Sequence, residues 1–292
     1  MPVLAPDHTP TLAGEVASRI VTDLGVPPCP AIVADLIEES RREEPDFPRI
    51  GALISHDPGL AAALMKTVNS PFYSVVVKAT SVQQALLFLG LRSAVRIVAG
   101  LALRHAFPAT LAAQTDPVWS HAARLAPLLG YLAQATRRAD RDDAYTFGLF
   151  RDCGTLLLLC KHGHAYSESL RENGFPHTLT LLTLESGLAG TDHAHAGHAL
   201  AKSWYLPESL CLAIRHHHDG RVLADALPVV NRDARALVAL GFLADHILDE
   251  KPSPVAQVVW SRWQPQVLGA LGLDEADLPD LAEDALAAAR DD

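Results

Sequence analysis

The sequence predicts an all-α fold, a bundle of N-terminal helices packed on a second helical bundle, and three observations carry that expectation. Leu and Ala dominate nearly every segment of the 292 residues, and runs of β-branched residues are scarce. That composition favours helices over sheets. Apolar residues recur every three or four positions. Helix-start pairs, a carboxylate followed by proline, occur at Asp57-Pro58 and Asp116-Pro117, where the acid caps free N–H groups and proline takes the first turn.

In chain order, residues 1–10 hold Pro2, Pro6 and Pro10 without periodicity and read as a disordered start. Leu12 to Leu24 is amphipathic and stops at Gly25, before the turn Val26-Pro27-Pro28-Cys29-Pro30. Ile32, Val33, Leu36 and Ile37 share one helix face, which fades into the charged run Glu38 to Glu44. Phe47, Ile50, Leu53 and Ile54 mark a short helix, and Leu60, Leu64 and Val68 mark the next, stopped by Asn69-Ser70-Pro71. Ser81 with Gln84 fits a capping box and Gly90 a stop. Leu91 to His105 continues as a longer helix.

The second region is expected to open with a helix at Asp116-Pro117 that buries Leu125, Leu128, Leu129 and Leu132 and runs to about Arg138. A charged loop, Arg137 to Asp143, precedes Tyr145 to Phe150, and Leu156 to Cys160 is apolar all round, as in a central helix. Thr178 to Glu185, His193 to Tyr205, Pro207 to His217 and Ala234 to Leu248 read as further helices. Lys251 to Pro254 reads as a linker to an amphipathic tail. The expected organisation is therefore 11–108, 109–250 and a helical tail at 251–292.

Bulk properties narrow the function. Net charge is −10, and Arg41-Arg42 is followed at once by Glu43-Glu44. Nucleic-acid binding needs a basic face to neutralise phosphates, so it is disfavoured. The longest apolar stretches, such as Gly154 to Cys160, are too short for a bilayer, and no charged-then-apolar leader opens the chain. Cys29, Cys153, Cys160 and Cys211 form no CxxC pair. Together these point to the cytoplasm and reduced thiols.

The phrases Pro27-Pro28-Cys29-Pro30, Leu53-Ile54-Ser55-His56-Asp57-Pro58, Val68-Asn69-Ser70-Pro71-Phe72-Tyr73 and Ser81 to Gly90, in this order and spacing, resemble the HDOD family. These are bacterial helical output domains related to the HD and HD-GYP phosphohydrolases, and the likeness covers roughly residues 20–248. It implies an HD-like second bundle and a remnant of the superfamily's metal site. The matching candidate ligands are His121, Asp152, His193, His217, His218 and Asp245. The histidine of the His-Asp pair is replaced by Arg151, and the Gly-Tyr-Pro segment of the cyclic-di-GMP phosphodiesterases is absent after His217-His218.

A guanidinium offers no lone pair and stays protonated, so Arg151 deletes one ligand. It is also free to pair with Asp152 and take that carboxylate from metal duty. Arg151 and His195 are alternatively candidates for an anion or ligand pocket, since a guanidinium fork matches phosphate or carboxylate. His195 and His198 fall on a helix capped by Asp192 and read as outlying; Ser55-His56-Asp57 cannot converge as a triad, because adjacent helical residues point apart.

The expected function is a non-catalytic regulatory module that binds a signalling protein or a small anionic ligand, without membrane or nucleic acid and without a cofactor. The alternative is a metal-dependent phosphohydrolase using Fe, Mn or Zn.

Overall fold

The computed structural model describes residues 22–70, 73, 75, 77–173, 179–224, 230–249 and 252–290. The expected helix at Leu12 to Leu24 lies outside these residues except for its last turn. Among the described residues there is no strand, so the fold is all-α. The helices are α1 (Ala31–Ser40), α2 (Phe47–Ser55), α3 (Pro58–Val68), α4 (Val82–Leu89), α5 (Leu91–His105), α6 (Ala112–Thr136) and α7 (Arg141–Phe150). They continue with α8 (Cys153–Asn173), α9 (Leu179–Ala189), α10 (His193–Ser203), α11 (Glu208–His216), α12 (Arg232–Leu248), α13 (Pro254–Leu271) and α14 (Leu278–Arg290). No single helix among them is long and apolar enough to cross a membrane.

Helices α1 to α5 form the N-terminal group. Asp57 caps α3 as its sequence predicts, accepting from the Leu60 N–H at 3.0 Å. The capping box at α4 is only half made. Ser81 accepts from the Gln84 N–H at 3.2 Å, but Gln84 Oε1 turns back to the Thr80 N–H at 2.8 Å. Gly90, at φ 75°, makes the 117° bend from α4 into α5, in a region of φ that penalises any side chain. Asn69 clasps the loop after α3 through both halves of the Ala79 peptide, at 2.7 and 2.9 Å.

In the second group α6 packs on α7, α8 on α10, α10 on α11, α11 on α12 and α12 on α13, while α14 returns against α6. Helix α6 starts four residues before the Asp116-Pro117 signal and carries Pro117 and Pro127 in its interior. Packing supplies the reason: Val118, Leu125, Leu128, Leu129 and Leu132 are buried along it. Each buried Leu is worth about 1.5–3 kcal/mol, enough together to offset the backbone bonds the prolines cannot donate. Arg137 ends α6 in the left-handed region, and Asp140 caps α7 through the N–H groups of Asp142 and Asp143. The expected charged loop is thus shorter, and α7 takes its last three residues.

Leu156 to Leu159 are all buried, which makes the first half of α8 the central helix that its sequence predicts. The core is continuous from Leu24 to Ala285. Between the two groups Ser93 donates to Asp142, Tyr73 reaches the same carboxylate, and Arg96 pairs with Asp140 and Asp143 at 3.2 and 2.9 Å.

Candidate metal centre

Four side chains converge where α7, α8, α10 and α11 meet. Asp152 lies in the turn between α7 and α8, His193 opens α10, and His217 and His218 follow the end of α11. One ligand atom from each falls within 4.8 Å of the others. Helix α8 can come this close to α10 because position 154 is glycine. A Cβ on Gly154 would overlap the His193 carbonyl and press on the Gly197 N–H.

The histidines are aimed from behind. His193 Nδ1 lies 2.7 Å from Glu185, whose other contacts are the His193 backbone N–H at 2.9 Å and the Tyr166 hydroxyl. His217 Nδ1 lies 2.7 Å from the Ile214 carbonyl. Both partners are acceptors, so both Nδ1 atoms carry hydrogen and both Nε2 atoms of the neutral rings present lone pairs. These two Nε2 atoms are 3.2 Å apart, and His218 Nε2 is 2.9 Å from that of His193. Facing lone pairs at this distance repel unless a proton or a cation lies between them.

Asp152 Oδ1 is buried without a hydrogen bond and faces the same point, 3.6 Å from His217 Nε2 and 3.9 Å from His193 Nε2, too far for hydrogen bonds. An acceptor-only oxygen beside two or three imidazole lone pairs, each ring held by an outer partner, is a donor set that fits a transition-metal ion.

The titration tendencies agree. Burial pushes the His217 and His218 rings towards neutrality, His218 well below the usual range. Burial would lower His193 too, but the bond and charge of Glu185 raise it. Burial would raise Asp152, yet Arg151 and then His217 hold it well below the carboxylate range.

Arg151 pairs with Asp152 as expected, and also with a second carboxylate to which the sequence does not point. It is fully buried, and its guanidinium takes Asp245 at 2.9 Å, while its Nε stays 3.6 Å from Asp152. Arg151 thus draws on both carboxylates: Asp245 by the shorter contact, and Asp152 through Oδ2 only, which leaves Asp152 Oδ1 for the cluster. The Arg151 side chain lines neither cavity beside the cluster. His121 approaches Asp152 to 3.9 Å but stands outside the converging set.

His195 turns away, bonding Asp192 through Nδ1 at 2.8 Å and meeting Arg215 through Nε2 on the wall of a cavity. His198 bonds the Cys211 carbonyl at 2.8 Å. Glu185 and Tyr166 were not among the candidates. The available signal was one Glu in the otherwise uncharged helix Leu179–Ala189.

The sequence profile of the HDOD domain matches residues 26–220. An uncharacterised protein of Treponema pallidum (strain Nichols) is 28% identical over 253 residues, which is 81% of this chain and 45% of that protein's length. This chain thus spans less than half of that relative. A Geobacter sulfurreducens HDOD domain protein of unknown function is 25% identical, with a TM-score of 0.66 over 94% of this chain and 96% of that one. At 20% identity and the same TM-score, a Shewanella amazonensis SB2B protein for which phosphohydrolase activity has been inferred shares the fold over 94% of this chain and 98% of its own. The chain belongs to the HDOD family.

Proposed function

We propose that this protein is a signal-transduction module whose HD-like core holds one divalent transition-metal ion and does not hydrolyse phosphodiesters. The observation that carries the reading is the division of ligands: Asp152, His193, His217 and His218 converge, while Arg151 holds Asp245 away from them. Imidazole and carboxylate suit Fe, Mn or Zn. This favours the divalent-metal alternative over the cofactor-free expectation.

Such an ion would supply Lewis acidity and a permanent positive charge. The protein's own residues set the rest. Glu185 and the Ile214 carbonyl fix the two ring orientations, and Arg151 fills the position from which a further ligand would reach. Asp152, His193 and the His217-His218 pair come from three different parts of the bundle, so a ligand held by all of them would tie α8, α10 and α11 together. A partner or small ligand could read that state.

The test is elemental analysis together with a phosphodiesterase assay. Protein purified without added metal, then supplied with Mn, Fe or Zn, is expected to retain about one equivalent, lost in His193→Ala. Turnover of bis-p-nitrophenyl phosphate with excess Mn is expected to be negligible. Rates of about 1 per second or more would refute the non-hydrolytic reading and favour the phosphohydrolase one. Absence of retained metal in the wild type would refute the metal reading.

A further inference from the structure

A second site lies beside the cluster. A cavity of about 890 Å³ opens between the start of α10, the end of α11, the turn Gly220–Ala224 and one face of α13. That volume lies within the ~300–1,000 Å³ range of pockets for small organic ligands. His218 forms part of its inner wall.

Three guanidiniums, those of Arg215, Arg221 and Arg262, line it against two carboxylates, Asp192 and Asp219. Both carboxylates have their hydrogen bonds elsewhere, though both also act through space on Arg215. Asp219 takes both arms of Arg221, each at 2.7 Å. Asp192 caps α10 through the His195 N–H and holds the His195 ring, each at 2.8 Å.

Arg215 and Arg262 are left without an ion pair among the described residues. Arg215 is nevertheless held in place. With its Nδ1 hydrogen given to Asp192, His195 offers its Nε2 lone pair to Arg215. The chain Asp192–His195–Arg215 therefore orients a guanidinium that Asp192 and Asp219 influence through space without an ion pair. Arg262 lies 5.1 Å from the centre of the Trp263 ring.

The remaining wall is apolar, from Leu182 on α9 and Val255, Val258 and Val259 on α13. Val258 is 67% exposed. Helix α13 sits this close because residue 220 is glycine; a Cβ there would run into the Trp263 indole.

We propose that this cavity binds an amphiphilic phosphate monoester, its head between Arg215 and Arg262 and its apolar body along the α13 valines. Two guanidiniums without a bonded carboxylate suit a doubly charged, fork-accepting head better than a single carboxylate. An isolated ion would leave the apolar wall unused. Because α13 supplies both Arg262 and the valines, a bound ligand fastens that helix to the bundle.

The probe is octyl phosphate, below its micelle concentration, titrated calorimetrically into the full chain, with inorganic phosphate and octanoate as half-probes. Saturable binding at least tenfold tighter than either half-probe is expected, with slower amide exchange along α13. Arg262→Gln and Val258→Asp, both at solvent-facing positions, should each weaken it at least tenfold; Arg215→Gln should do the same if it folds. No saturable binding, equal affinity for octanoate, or unchanged affinity in Arg262→Gln and Val258→Asp would overturn the proposal. Both variants lie outside the metal ligands, so their metal content should equal the wild type's. Loss of metal with intact octyl phosphate binding would speak against the metal reading alone.

Discussion

Replacing Glu185 by Gln tests whether the cluster is organised for a cation. The side chain is 1% exposed and accepts three donors: the Tyr166 hydroxyl, the His193 backbone N–H and the His193 ring. Gln keeps the shape but has one acceptor oxygen, and its NH₂ must face a group that donates in the wild type. The simplest relief is for the His193 ring to shift its hydrogen from Nδ1 to Nε2, accepting from the amide. Its Nε2 then points an N–H into the cluster, where a lone pair is needed.

Loss of an outer partner of this kind typically costs 10–100-fold in metal affinity, about 1.4–2.7 kcal/mol. Affinity is read by competition against a chelator with Zn or Mn, and Glu185→Asp, which keeps the charge, should recover part of the loss. Affinity in Glu185→Gln within about twofold of wild type would refute the reasoning.

Three further outcomes follow from the same geometry. Arg151→His removes a buried guanidinium from Asp245 and should cost roughly 3–5 kcal/mol in chelator-treated protein, with part recovered and extra metal retained when Mn is supplied; equal melting temperatures without metal would contradict it. Gly154→Ala places a methyl against the His193 carbonyl and should cost about 3 kcal/mol or more and release metal, read by thermal melts and elemental analysis; unchanged melting and metal content would contradict it. Asp143 is pushed up to about 6, by burial first, against the pull of Arg96 and with Asp140 and Asp142 adding to the rise. Its folded pKa lies above the unfolded one, so its stabilisation is complete below about pH 3.8 and lost as pH climbs through 6. Asp143→Asn should therefore gain on wild type by up to about 3 kcal/mol between pH 4 and 8, and a flat difference would exclude the effect.

The helices were legible because their ends are chemical. Asp57, Asp192 and Gly90 act where their residue types say they should. The start of α6 was misplaced because Asp116-Pro117 is a strong local signal, overruled by the long-range packing of an apolar face that no window of sequence weighs. Of the six candidate ligands named from the order of motifs, Asp152, His193, His217 and His218 converge in space, and His121 and Asp245 do not join them. Of the two partners of Arg151, Asp152 could be read because it adjoins in sequence, and Asp245 could not because it adjoins only in space. Glu185 escaped for a similar reason: a carboxylate on an apolar helix declares a buried partner without naming it.

Charge bears on how many ions the proposed site would carry. Asp152, Asp245 and Glu185 set three carboxylates against the one guanidinium of Arg151, all buried or largely so. Burial keeps His217 and His218 neutral, so the site carries about two negative charges in a medium that penalises any imbalance. A proton on His193 removes only one of them. One divalent ion removes both and also relieves the facing lone pairs of His193 and His217. A second divalent ion would leave two positive charges in the interior, and the carboxylate that could hold it is already bound to Arg151. With histidine at position 151 the balance would fall by one positive charge and rise by one lone pair, and room for a second ion would open. On the proposed reading, arginine there would make a one-ion site, able to keep a metal without the pair of ions that clamps both oxygens of an in-line displacement.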